Sequence, residues 1–141
     1  MAGYIKGNFS GNAGAGGTTD SQIGTNIPAS RLPGGGYGWV YVGTQTSAAT
    51  YYDGYYGNEL YIGAKITNAS YGYPLITPAE AYTIDMKLDD GIPGTGAVRT
   101  RYGATYAPNC STSGSVNTSP SASAYNTAYS GVACPLLFIT G

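Results

Sequence analysis

Histidine is absent from this 141-residue chain. That removes the imidazole-dependent chemistries: no Ser-His-Asp or Cys-His arrangement can be assembled, and no imidazole can hold a metal. Carboxylates remain for acid–base work. Asp53 with Glu59, or Asp89 with Asp90, are the pairs available for a glycosidase-like acid and base. Nothing in either spacing sets two carboxyls across a substrate, and neighbours on a helix diverge by about 100°. The glycines of residues 34–36 and 94–96 precede no P-loop lysine and sit in no strand–GxGxxG–helix context. Neither catalysis nor a cofactor is expected.

Three other groups of side chains carry chemistry. Asp85, Asp89 and Asp90 crowd the C-terminal half of a predicted helix, where the macrodipole disfavours negative charge, and Asp85 and Asp89 are like charges at i, i+4. Lys87, Arg99 or Arg101 could pair with them, or Ca²⁺ could bind at Asp89 and Asp90. The expected solution is capping by N–H groups of the turn at residues 91–96. The tyrosines Tyr51, Tyr52, Tyr55, Tyr56 and Tyr61 cluster in YYDGYYGNELY. If exposed, rings with polar tips suit sugar faces or subunit interfaces; otherwise they fill the core and cover glycine-rich backbone. Cys110 and Cys134 are spaced as a loop rather than as C-x-x-C. In an exported chain they read as a disulfide contributing roughly 3–4 kcal/mol, with two buried thiols as the alternative.

A capped helix must present the aspartates. Thr77 reads as an N-cap, Pro78 fits the first helical position, and Glu80 completes a capping box. Ala81, Ile84 and Leu88 fall at i, i+3 and i+7 as one apolar stripe, flanked by Tyr82 and Asp85. Gly91 supplies a stop and Pro93 blocks resumption. A helix of about three turns is too short to stand alone in water, so it must pack on a sheet.

Strand patterns supply that sheet. Residues 37–42, YGWVYV, put Trp39 and Tyr41 on one face and Val40 and Val42 on the other. Residues 44–56 form a polar, tyrosine-rich hairpin or loop. Residues 59–66 alternate most cleanly, with Leu60, Ile62, Ala64 and Ile66 on one face and Glu59, Tyr61 and Lys65 on the other. Residues 97–105 read as a strand in which Val98 and Thr100 alternate with Arg99 and Arg101, so that one face is solvated. Residues 133–140, ACPLLFIT, are apolar on both faces, which argues for a central position with Pro135 at the start. Residues 2–5 could close a helical turn, residues 8–26 and 108–132 read as loops, and residues 27–32 as a short extended segment.

Charged residues make up 9% of the chain and the formal net charge is −1, against about a quarter charged in ordinary soluble domains. Nucleic acid and anionic membrane surfaces are therefore not expected partners. With 23 glycines and 15 tyrosines, solubility rests on neutral polar groups, as in secreted and surface-assembled proteins. The longest apolar run, residues 134–139, is too short to cross a bilayer. The amino terminus lacks a signal-peptide pattern, so a targeting segment, if used, would lie upstream. Asn8, Asn68, Asn109 and Asn117 match the glycosylation pattern at a frequency close to chance.

The segment LITPAEAYTIDMKLDDGIPGTGAV resembles the extracellular head of bacterial type IV pilin-like proteins (prepilin-type cleavage/methylation proteins). A threonine-proline entry, an Ala-x-x-Ile-Asp-x-Lys-x-Asp-Asp-Gly core and a Pro-x-x-Gly exit are represented by Thr77, Pro78, Ala81, Ile84, Asp85, Lys87, Asp89, Asp90, Gly91, Pro93 and Gly96. The tail is similar too: a Cys, a Ser/Thr/Asn-rich stretch with Tyr125-Asn126, then a second Cys opening CPLLFIT. The resemblance implies a single α+β head spanning residues 1–141. Its antiparallel sheet would carry one short helix at about 78–89, with long Gly/Ser/Tyr-rich loops and a C-terminal disulfide loop. It also implies a structural subunit of an extracellular pilus or secretion pseudopilus. Membrane contact and homo-oligomer or other pilin partners would come through an N-terminal helix not present in this sequence. The runner-up expectation is a secreted module binding carbohydrate or another surface through the clustered tyrosines.

Overall fold

The computed structural model describes residues 22–65, 72–112 and 119–141. Six strands and one α-helix are named in chain order: β1 (Gly35–Tyr41), β2 (Thr44–Gln45), β3 (Gly54–Tyr55), β4 (Asn58–Ala64), α1 (Pro78–Leu88), β5 (Val98–Arg99) and β6 (Leu136–Ile139). A 3₁₀ turn covers Pro120–Ala122. Four strands form an antiparallel sheet in the order β1-β4-β6-β5, and β2 and β3 form a separate two-stranded hairpin. The α+β expectation holds at this level: an antiparallel sheet, one helix and a Cys110–Cys134 disulfide.

The strand that is apolar on both faces, β6, lies between β4 and β5, as its pattern predicts. Pro135 precedes it and is fully buried, where its missing N–H removes no ladder bond. The predicted third strand is far shorter than expected. After Arg99 the chain leaves the sheet: Thr100 N–H donates to Pro93 O (2.9 Å) and Tyr102 N–H to Thr50 O (3.0 Å). Arg101 is buried rather than solvated, correcting the expected open face.

Cross-strand register sorts the side chains into two layers. Trp39 faces Leu60, Leu60 faces Phe138, Phe138 faces Val98, and Ile62 faces Leu136. On this side lies the larger core, where Val98 and Leu136 pack with Ile76, Ala81, Tyr125 and the two cysteines, and α1 sits against β5. The other side carries Glu59, Tyr61, Leu137 and Ile139. It is covered by the β2–β3 segment, with Tyr56, Tyr61 and Leu137 as its buried centre and Val42, Tyr51 and Ile139 around them.

The helix begins where the caps predict. The Thr77 side chain accepts from Glu80 N–H and the Glu80 carboxylate accepts from Thr77 N–H (2.8 Å). Its buried face differs from the predicted stripe. Pro78, Ala81 and Asp85 are buried, Ile84 is half-buried, and Leu88 is 64% exposed. Backbone pairing of Ile76 with Cys134 fixes the helix entry beside the start of β6.

Cys110 and Cys134 are bonded, with Cα atoms 5.1 Å apart. Residues on both sides of that link are stitched together, since Ser111 bridges Tyr125 and Asn126 N–H donates to Cys110 O (2.9 Å). The predicted turn at residues 2–5, most of the loop at 8–26, Ile66, and the glycosylation matches at Asn8, Asn68 and Asn117 lie outside the described residues. Among the described residues no helix is long and apolar enough to cross a membrane.

Candidate functional site

The three aspartates are brought together, with one oxygen from each within 4.8 Å of the others. Their ligands are the protein's own donors. Asp85 is fully buried; its Oδ1 accepts from Gly91 N–H (3.0 Å) and its Oδ2 from the Tyr125 hydroxyl (2.9 Å). Asp89 forms the C-cap, and its Oδ2 accepts from the N–H groups of both Ala97 and Val98. Asp90 accepts from Ile92 N–H (2.8 Å) and from the Thr95 hydroxyl (2.6 Å). This is the capping by turn N–H groups that the sequence leads one to expect, and it offsets the unfavourable macrodipole. Gly91 and Gly96 have φ of 73° and 69°, a left-handed backbone that lets the chain fold back over the carboxylates. Burial pushes the Asp85 carboxyl up to about 6, against the Gly91 and Tyr125 hydrogen bonds, and Asp90 and Asp89 add to the rise. Burial likewise raises the Tyr125 hydroxyl.

The arginines considered as partners for these acids are engaged elsewhere. Arg99 donates to Gly96 O (2.8 Å) and Tyr55 O (3.3 Å), and its guanidinium lies 4.6 Å from the Tyr56 ring centre. Arg101 donates to Thr50 O (3.4 Å) and lies over the rings of Tyr106 (3.8 Å) and Tyr51 (4.5 Å). Both arginines help close the second core through cation–π contacts.

That core encloses Glu59, which is fully buried with no hydrogen-bond partner for either carboxyl oxygen among the described residues. Burial pushes the group up to about 7, against the pull of the Tyr61 hydroxyl, Arg101 and Arg99. Asp53, the other member of that pair, accepts from Ser47 N–H (2.6 Å). An enclosed acid and one committed to a turn present no glycosidase-like pair to a substrate.

The five clustered tyrosines do not make an exposed platform. Tyr52 and Tyr56 are fully buried, Tyr61 is buried, Tyr51 is half-buried, and only Tyr55 is exposed. They work as structural spacers: the Tyr56 hydroxyl donates to Tyr52 O (3.0 Å), the Tyr52 hydroxyl donates to Ser111 Oγ (2.7 Å), and the Tyr51 and Tyr61 hydroxyls are hydrogen-bonded to each other. Burial raises Tyr56 to about 12 and raises Tyr61 and Tyr51 as well.

Two surface features went unpredicted. An apolar groove of about 370 Å³ runs between Leu32 and the exposed flank of α1, lined by Ile76, Ala79, Glu80, Thr83 and Ile84. Exposed aromatic rings also gather at the far end of β1, where Trp39 and Tyr41 join Tyr55. The alternation of residues 37–42 put Trp39 and Tyr41 on one face but carried no sign of how exposed the two rings would be. A smaller cleft of about 230 Å³, bordered by Tyr102, Ala107 and Asn109 among others, has no charged residue in its lining. Compared with known proteins, the chain matches no family model, no curated protein and no solved structure.

Proposed function

We propose that this chain is the globular head of a structural subunit of the type IV pilin or secretion-pseudopilin kind, acting by filament assembly and surface display. The resemblance of residues 75–98 and of the cysteine-bounded tail motivates the reading. The observation that carries it is the apolar groove beside α1, open along Ala79 and Thr83 and floored by Ile76 and Ile84. A helical segment preceding the head would bury its apolar stripe there, coupling the head to a filament core. The aspartate turn supports the same reading, because Asp89 ties the end of α1 to β5 while Asp85 and Asp90 hold the turn that follows the helix.

The test uses the gene with its upstream coding region in a host equipped with a prepilin peptidase and an assembly ATPase. The parent is expected in the sheared filament fraction. Ala79→Arg, placed in the groove on an exposed helix position, is expected to leave the melting temperature of the isolated head unchanged and to abolish filament recovery. Normal recovery of that variant would refute the groove as the coupling surface. A conventional cleaved signal peptide ahead of the head would refute the filament reading as a whole.

A further inference from the structure

Trp39, Tyr41 and Tyr55 are 60%, 67% and 56% exposed. Single exposed apolar residues are ordinary, but three large rings in one place are not. Trp39 and Tyr41 sit two residues apart on one face of β1, about 7 Å along the strand. Tyr55 reaches the same end from β3, pointing outward where its neighbour Tyr56 points into the core. Two backbone bonds tie the segments together, Val42 N–H to Gly57 O (2.9 Å) and Tyr56 N–H to Gly43 O (3.0 Å). The Tyr55 hydroxyl is hydrogen-bonded to Tyr41, which raises its pKa.

Glycines make the floor of this arrangement. A Cβ at Gly43 would lie 3.6 Å from the Tyr41 ring, and one at Gly57 would lie 3.2 Å from the Tyr55 ring. The Tyr41 and Tyr55 rings therefore lie against glycine backbone and remain more than half exposed. Residues 35–45 and 54–58 contain no Asp, Glu, Lys or Arg. The nearby Arg99 guanidinium is held by the Tyr55 carbonyl and the Tyr56 ring. The polar groups beside the rings are neutral: Asn58 stands opposite Tyr41 and Thr44 opposite Tyr55, and both are exposed.

From this we infer that Trp39, Tyr41 and Tyr55 form a stacking platform for an uncharged polysaccharide, with Asn58 and Thr44 as hydroxyl-binding neighbours. The charge pattern selects the occupant: an uncharged strip offers nothing to phosphates or acidic polymers, while flat rings with amide and hydroxyl neighbours match a sugar's C–H face and hydroxyl edge. The platform is independent of the filament reading. It lies at the opposite end of β1 from Leu32 and the groove, about 20 Å along the strand.

Trp39 is the only tryptophan of the chain, so its fluorescence reports on the platform alone. The folded chain is titrated with cellohexaose, chitohexaose and mannohexaose, uncharged β-linked probes. A saturable blue shift with at least one of them is expected. Tyr41→Ala and Tyr55→Ala, each keeping Trp39, are expected to weaken binding about tenfold with an unchanged melting temperature. No shift with any of the three sugars, or a shift that both variants retain at full affinity, overturns the inference. A shift produced only by phosphatidylcholine vesicles would make the strip a lipid surface instead. A shift that follows protein concentration without sugar, with a dimer in sedimentation, would make it a contact between copies.

Discussion

Replacing Glu59 by glutamine removes a titrating group from the interior and should flatten the pH dependence of stability. In the folded protein this carboxyl is fully enclosed, neither oxygen has a hydrogen-bond partner among the described residues, and the charged form is disfavoured. The groups that face it are Tyr51 and Tyr56 from the hairpin, Tyr61 on its own strand, and Arg99 and Arg101 from β5 and beyond. Its value rises from 4.5 to about 7. Because the folded state holds the proton more tightly, the stabilisation is fully present below pH 4.5 and is lost as pH rises through 7. A gap of about 2.5 pH units at 1.36 kcal/mol per unit is about 3 kcal/mol. Asp85, raised from 3.8 to about 6, slopes the same way over a lower window. The difference between parent and variant isolates Glu59 from it. Urea unfolding of both proteins from pH 4 to pH 8, read by linear extrapolation, should show the Glu59→Gln variant gaining about 3 kcal/mol relative to the parent across that range. A constant difference would refute the reasoning, because it would mean that Glu59 ionises in the folded state as readily as in the unfolded chain.

Reducing the Cys110–Cys134 bond, which closes a separation of 24 residues, should cost about 3.5 kcal/mol by the chain-entropy estimate, measured as a lower urea midpoint with dithiothreitol. Thr77→Ala removes the acceptor for Glu80 N–H and should cost about 1 kcal/mol, visible as a lower melting temperature with the helical circular-dichroism signal retained in the cold. Gly96→Ala combines a φ of 69° with a Cβ that would fall on the Asp89 carboxylate. It should destabilise by about 2 kcal/mol or more, and hydrogen exchange at Ala97 and Val98 should speed up, since both N–H groups bond to that carboxylate.

Local signals were legible wherever they were local in cause. The helix start at Thr77, the central place of β6 and the main-chain capping of Asp89 and Asp90 all follow from residues within a few positions of each other. The choice between competing faces was not legible. Spacing at i, i+3 and i+7 describes Ala81, Ile84 and Leu88, but Pro78, Ala81 and Asp85 satisfy it equally. What selects the second set is a donor 40 residues away, the Tyr125 hydroxyl, which lets a carboxyl enter the core. The same holds for β4, where Glu59 and Tyr61 face the second core because Arg99 and Arg101 return from beyond the helix to lie over its tyrosines. The sequence left the tyrosine cluster open between surface and core, because five polar-tipped rings lying close together suit either. The hairpin folds three of them inward and leaves Tyr55 to join Trp39 and Tyr41 outside.

Of the four strands in the main sheet, the last to be synthesised, β6, is an interior one. Until residues 136–139 emerge from the ribosome, β4 and β5 lack their shared partner, and both cores stay open, since Leu136 belongs to one and Leu137 to the other. The β1–β4 pair can form early, but the contacts that close both cores span a long stretch of the chain. A nascent chain halted before Leu136 exposes two strand edges to its neighbours. Closure of both cores therefore waits for the last of these four strands.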